Sequence, residues 1–218
     1  MTGKLMFNSN QNRKENTARR RSVVRAGIHP QSFGGVRQRI TGDRSWGRGY
    51  EGNKILICAL ANATDGKLHL CSSEADFPAL GRMIVQPIHL SMDESLGDLR
   101  HLTKQYAAKE NLPTERLQDL ETAVGEAATN AVVHGGGGTG SVFAVPGKKI
   151  QVCIHDNGSG IIEENLPKAT LIRGFSTKDT LGHGLKMILQ AVDRVYLLTG
   201  VHGTTIILEQ DVRRRRVA

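Results

Sequence analysis

Long apolar runs are missing from this 218-residue chain. No stretch approaches the ~20 apolar residues of a membrane span. The start, MTGKLMFNSNQNRK, lacks the apolar middle of a secretory signal. No membrane partner is therefore expected. Cysteine is scarce: Cys58, Cys71 and Cys153 form an odd set without Cys-x-x-Cys spacing, which disfavours a disulfide framework and a zinc site. Free thiols in a reducing cytoplasm are the simplest account, so a cytoplasmic protein is expected. The single tryptophan, Trp46, lies between Ser45 and Gly47 and has no core around it.

The net charge of +8 and pI near 9.7 suggest a nucleic-acid binder until the charge is mapped. Residues 1–50 hold 11 Lys or Arg against only Glu15 and Asp43, a net +9. With the Arg213–Arg216 run also set aside, residues 51–212 carry −5. The basic character belongs to the ends and the body is mildly acidic, so no specific nucleic-acid partner is expected. Residues 1–52 mix basic residues with Gly, Ser, Asn and Gln without apolar periodicity, which predicts a tail with no fixed structure. Residues 212–218 form a second, Arg-rich tail.

Between the tails, Lys54–Ala61 and Lys67–Cys71 are short apolar runs separated by Asp65-Gly66. They read as a hairpin, so residues 53–81 are expected to be a hairpin-like segment. From Arg82 the pattern becomes regular. Met83–Leu90 reads as a strand broken at Pro87. Ser91-Met92-Asp93-Glu94 is a capping box opening a helix with Leu96, Leu99, Leu102 and Tyr106 on one side. Asn111-Leu112-Pro113-Thr114 stops that helix and caps the next, which runs to His134. Strands are expected at 149–155, 194–199 and 204–210, and a helix at 184–192. Helices and strands mixed without strict βαβ alternation imply an α+β fold for residues 82–211. Its expected architecture is a two-layer α/β sandwich, with helices over one face of a mixed sheet.

Three glycine-anchored segments carry the chemistry. On the helix 114–134, Leu117, Leu120, Val124, Ala128 and Ala131 share one stripe, and Asp119, Glu126 and Asn130 lie opposite it. Glu126 and Asn130 are four apart, hence neighbours. No Lys or Arg follows Arg116 on that face, which suits a hydrated Mg²⁺ taking few protein oxygens; a solvated face is an equally good account of this helix alone. A period-2 strand ends in Asp156-Asn157-Gly158-Ser159-Gly160. An acid there can point inward and accept from an exocyclic amine such as that of adenine, although Asn-Gly is also a common turn. The loop 174–184 leads into an apolar helix through Gly182-His183-Gly184-Leu185, where exposed N–H groups favour phosphates. It contains neither the Gly-x-x-x-x-Gly-Lys-Ser/Thr phosphate loop nor a strand followed by Gly-x-Gly-x-x-Gly.

With these segments in this order, residues 82–211 resemble the GHKL (Bergerat-fold) ATP-binding superfamily, and within it the small anti-sigma regulatory factor serine/threonine kinases. The resemblance implies ATP and Mg²⁺ as cofactors. It implies Glu126 as general base, Asn130 as the magnesium ligand and Asp156 on adenine, with Gly158 and Gly160 shaping the pocket. Gly182, His183, Gly184 and Leu185, the lid residues Ser176 and Thr177, and Thr204 complete the nucleotide-binding set it implies. The implied substrate is a serine or threonine on an anti-anti-sigma (STAS-domain) protein. Gly174-Phe175-Ser176-Thr177 resembles the branch that switches stress-response complexes, so a sigma factor as a further partner stays open; homodimerisation also follows the resemblance. Three rival readings remain: a non-catalytic ATP-gated binding module, the catalytic half of a histidine kinase, and a nucleic-acid binder acting through the tails. The second is disfavoured because His29 precedes Pro30 in the stretch expected to lack fixed structure, and no long helical pair is expected upstream of the ATP-binding segments.

Overall fold

The computed structural model describes residues 54–92, 95–162, 165–171 and 184–213. The basic tail expected at 1–52 lies outside the described residues, as does all but the first two residues of the C-terminal one. Among the described residues, six strands form one mixed sheet in the order β1-β5-β6-β4-β3-β2. They are β1 (Leu68–Leu70), β2 (Arg82–Leu90), β3 (Gly138–Val145), β4 (Lys149–Asp156), β5 (Arg194–Gly200) and β6 (Gly203–Asp211). β1 runs parallel to β5, and the other four ladders are antiparallel. The helices are α1 (Lys54–Ala63), α2 (Ser95–Lys109), α3 (Thr114–Gly135), α4 (Leu166–Leu171) and α5 (Gly184–Ala191).

Alternation along the strands divides the sheet into two faces. Ile150, Val152 and Ile154 of β4, with Ile206 and Leu208 of β6, form one core with Leu99 of α2, Leu120, Val124 and Ala128 of α3, and Ile188 of α5. This is the expected α+β arrangement of helices over one face. Close packing of α2 on β3 requires Gly140, where a Cβ would lie 2.4 Å from Leu99 Cδ2. Pro87 sits in β2, an edge strand whose pairing with β3 slips on either side of Val85, consistent with a proline that cannot donate to the ladder.

The hairpin expected in residues 53–81 is not there. Lys54–Ala63 is a helix, and Leu68–Leu70 pairs in parallel with β5 in the main sheet. Asp65-Gly66 ends the helix instead of turning a hairpin. Both residues are left-handed (φ 51° and 71°), and Gly66 N–H reaches back to Ala61 C=O at 2.7 Å. Leu60 and Leu68 belong to the same core as the helices above, so this segment is part of the domain. Lys67 adds a tie by donating from Nζ to the Leu189 carbonyl in the last turn of α5 (3.0 Å). The start of α3 also differs from expectation: Pro113 is the capping position and offers no side-chain bond. At the start of α2, Asp93 and Glu94 lie outside the described residues; the bond seen is from Ser91 N–H to Ser95 Oγ at 3.0 Å.

β1 and β2 occupy opposite edges, so residues 71–81 cross the face away from the helices. Cys71 N–H bonds Leu197 C=O on β5 (2.8 Å). Gln151 on β4 accepts from Gly81 N–H (2.8 Å) and donates to Ala79 C=O (3.1 Å). Beneath this strap Glu209, 1% exposed, accepts from Arg194 Nε (2.6 Å), Gln151 Nε2 (2.7 Å) and Lys149 Nζ. Burial alone would raise the Glu209 carboxyl, but the bonds from Lys149, Arg194 and Gln151 outweigh it and hold the group below the ordinary range. Burial also pushes the Cys71 and Cys153 thiols up to about 12, which keeps both protonated and unreactive.

Two outcomes follow. Leu68→Ala should cost about 2–5 kcal/mol in a denaturant titration of the whole domain, because its side chain is fully enclosed. An unchanged midpoint would mean residues 54–71 form a separate unit. A carboxyl lowered by folding stabilises the native state above its unfolded pKa and loses that contribution as pH falls through the folded value. Glu209 should therefore supply stability that is full above pH 4.5 and disappears below it. Glu209→Gln should flatten that part of the acid-melting profile.

Candidate functional site

The end of α3, the end of β4, the start of β6 and the start of α5 converge on the helix-covered side of the sheet. The β4–β6 register sets Asp156 opposite Thr204, and the β3–β4 register sets it opposite Gly138. Asp156 is 8% exposed, and its Oδ1 accepts from Gly158 N–H (2.9 Å) and Thr204 N–H (3.2 Å). Oδ2 makes no hydrogen bond to a described residue. Burial raises the Asp156 carboxyl above its usual value, and the two backbone bonds and nearby His155 and His134 only partly offset this. An acceptor oxygen is thus held at the mouth of a tight turn, ready for a donor from outside the chain.

Two glycines of that turn meet different constraints. A Cβ on Gly158 would lie 2.7 Å from Gly135 Cα, and one on Gly160, which has φ +69°, would lie 2.2 Å from Gly200 C=O. Helix α3 ends against Asp156 itself, where a Cβ on Gly135 would sit 2.4 Å from Asp156 Cβ.

One turn earlier on α3, Glu126 and Asn130 face the start of α5. A Cβ on Gly184 would lie 3.1 Å from both Glu126 Oε2 and Asn130 Nδ2, and 3.3 Å from Asn130 Oδ1. Carboxylate and amide therefore converge on the first residue of a helix whose N-terminus carries positive partial charge. Neither side chain bonds a described residue. Leu185, the next residue, turns into the core with Ile188 and Leu189 and seats α5. Thr204 lies on the other side of Asp156, and its hydroxyl meets Thr199 Oγ1 at 3.0 Å.

Of the residues singled out in the sequence, Glu126, Asn130, Asp156, Gly158, Gly184 and Thr204 come together. Gly160 braces the turn from outside, and Ser176, Thr177, Gly182 and His183 lie outside the described residues. Thr199 was missed. It accepts from Ile161 N–H (2.7 Å) and so ties the glycine turn to β5 while orienting Thr204. Counting back from the Val201-His202 turn would have paired Thr199 with Thr204, as the β5–β6 register does. Gly135 was also missed as a site residue because it is the first of four successive glycines.

Residues 91–209 match the family described as the histidine kinase-like ATPase domain, which covers more than half of the chain and all the segments above. The chain belongs to this family. It is 31% identical over 126 residues to an anti-sigma F factor of Anoxybacillus flavithermus (strain DSM 21510 / WK1), covering 54% of this chain and 83% of that one. Among solved structures it is similar to the RsbU and RsbW domains of a Mycobacterium tuberculosis protein, at 19% identity and a TM-score of 0.40. That match covers 57% of this chain and 32% of the other, so the chain spans about a third of that protein. A mycobacterial sensor histidine kinase, MprB, matches at 16% identity over 59% of this chain and 97% of that one, with a TM-score of 0.38. An ATPase domain binds ATP. Among the described residues no helix is long and apolar enough to cross a membrane, and no three His, Cys, Asp or Glu side chains cluster as metal ligands.

Alanine is the better helix former by ~1 kcal/mol, so helix propensity alone favours Gly135→Ala. The contact with Asp156 opposes it, and overpacking of this kind costs about 1–3 kcal/mol. The substitution should lower the melting temperature of the domain, whereas Gly97→Ala in α2 should not, since nothing lies within 4 Å of a Cβ there.

Proposed function

We propose that the protein is an ATP-dependent serine/threonine protein kinase of the anti-sigma regulatory type. In this reading Asp156 Oδ2 accepts a hydrogen bond from the exocyclic amine of adenine, and Gly158 and Gly160 let the backbone turn close to the base. Thr204 lines the same pocket, with its hydroxyl set by Thr199. The triphosphate extends toward α5, where the amides at Gly182 and Gly184 receive the phosphates. Ser176 and Thr177 complete the nucleotide-binding set in this reading.

What carries the reading is the seating of Gly184 between Glu126 and Asn130. Nucleotide binding alone needs no carboxylate there, but phosphoryl transfer to a hydroxyl has a use for one. Glu126 would take the proton of the incoming serine or threonine hydroxyl as its oxygen bonds the γ-phosphorus. The bond from that phosphorus to the bridging oxygen breaks, and ADP leaves. Magnesium fits the donor set: one amide oxygen, from Asn130, with Glu126 beside it, leaves room for the phosphate oxygens and waters this ion prefers. Its chemistry there would be to neutralise charge on the phosphates. All remaining catalysis is positioning by the chain.

By the same reading, the phosphoryl acceptor is an anti-anti-sigma (STAS-domain) protein, a sigma factor is a candidate second partner, and the kinase works as a homodimer in the cytoplasm. The similarity to an anti-sigma F factor supports this choice of partner class. The rival, an ATP-gated module without catalysis, differs in what Glu126 does. With γ-labelled ATP, magnesium and a lysate of the source organism, label should appear on protein as acid-stable phosphoserine or phosphothreonine. Glu126→Gln should lower that transfer by roughly 10²–10⁴-fold while ATP still binds by calorimetry. Equal transfer by both proteins would remove Glu126 from the mechanism. Acid-labile label would point to a phosphohistidine, hence to the histidine-kinase reading.

A further inference from the structure

Helix α5 stops at Ala191, and the way it stops leaves a carbonyl to be claimed. A continuing helix would give the Leu189 C=O to the N–H of Asp193. That N–H instead bonds Glu209 C=O on β6 (3.1 Å). The Asp193 carboxylate is held by Arg116 and by Asp211 N–H (2.7 Å), so the residue cannot turn back to the helix. Val192, also buried, closes the final turn on Ile188 C=O (3.1 Å). Leu189 is buried and therefore carries one of the open carbonyls of a helix end, where an unpaired group costs free energy. Lys67 Nζ takes it at 3.0 Å.

Lys67 is suited to this because its own backbone is fixed. Its N–H bonds Thr64 C=O (2.9 Å), and its C=O accepts from Val195 N–H (2.8 Å) at the head of the β1–β5 ladder. The half-buried stem thus leaves a rigid junction and brings a cation to the negative end of a helix dipole. Helix α5 has eight residues, about 12 Å at 1.5 Å per residue, so its two ends move as one body. At the other end Gly184 sits against Glu126 and Asn130. Between the ends, Leu185, Ile188 and Leu189 seat the helix through apolar contacts, which are non-directional. The directional bond is the one from Lys67. The same segment also reaches the helix before residues 172–183: α1 packs on α4, with Leu60 and Leu166 in the shared core.

We propose that Lys67 is a positioning residue for ATP: by holding the last turn of α5 it sets Gly184 where the phosphates need it, beside Glu126 and Asn130. The lysine acts through the helix and touches neither nucleotide nor acceptor. This inference rests on the kinase reading of the site. It gives residues 54–71, which precede the segment 91–209 matched to the family, a share in nucleotide affinity. Apparent affinity falls with the fraction of molecules in the competent arrangement, so loss of the Lys67 bond is read as weaker ATP binding.

Calorimetry on the full-length protein, with magnesium and a non-hydrolysable ATP analogue, tests it. The titrations use about 0.15 M salt, where exposed charges more than ~8 Å apart are largely screened, so the lost charge alone has little reach. Lys67→Met keeps the stem and removes the donor. It should weaken binding by roughly 3–10-fold, within the range for a cation at a partly buried helix C-terminus. Lys67→Arg can still donate to the Leu189 carbonyl and should stay within about twofold of the wild type. Leu68→Ala is the comparison for stability alone, since it opens a cavity one residue away and leaves the lysine in place. Well below its melting temperature it should also bind within about twofold of the wild type. Equal weakening in Lys67→Met and Lys67→Arg overturns the proposal, because a donor role predicts rescue. Equal weakening in Lys67→Met and Leu68→Ala overturns it as well and assigns the effect to stability. The two levels separate in the same titrations: a wild type that binds no nucleotide defeats the kinase reading itself, whereas nucleotide bound equally by wild type and Lys67→Met defeats only the role of Lys67.

Discussion

The end of β4 can hold a buried carboxylate only because the backbone around it comes closer than any side chain allows. Gly135 touches the Asp156 side chain, Gly158 touches Gly135, and Cβ atoms on Gly138 and Gly203 would each lie 2.1 Å from the carbonyl oxygen of His155 or Asp156. The helix-to-strand junction, the β6 hairpin and the glycine turn are thus docked on a single peptide stretch. This close approach sets the distance between α3 and the sheet, and with it where Glu126 and Asn130 stand relative to α5. Burying an acid here has an electrostatic cost, visible in the raised Asp156 carboxyl, and the two backbone N–H groups recover part of it.

The two faces of the sheet solve different problems. The helix side keeps a few polar groups unbonded around an otherwise apolar core, which is the condition for a ligand to supply the missing partners. On the other side Gln151 and Glu209 are both enclosed, and both are engaged by the strap and by cations, with no buried polar side chain left unsatisfied among the described residues. Networks of this kind specify one arrangement strongly, since removing any member strands the others.

Much of this was legible in the residues. The stripe through Leu120, Val124 and Ala128, the period-2 run 150–154 and the acid-glycine turn after it all became the elements expected, because in each the apolar spacing and the bounding residues agree on the element. Legibility failed where two readings shared a pattern. Ile55 and Ile57 gave Lys54–Ala61 the look of a strand, but the helix is set by tertiary burial of Leu60 and by a left-handed Asp65-Gly66 stop that looks the same in sequence as a hairpin turn. β3 was not foreseen, since its first residues belong to the Gly135–Gly138 run and its glycines at 138 and 140 make sense only once β4 and Leu99 are seen against them.

The parallel strand β1 has a consequence for assembly. A sheet ending at β5 would present a seven-residue row of open backbone donors and acceptors, the kind of border on which a second chain can add itself. Residues 68–70 occupy that border from within the same polypeptide, and what remains open there is a three-residue strand shielded by α1. Among the described residues that margin is therefore narrowed to three residues, which disfavours backbone pairing of two subunits along it.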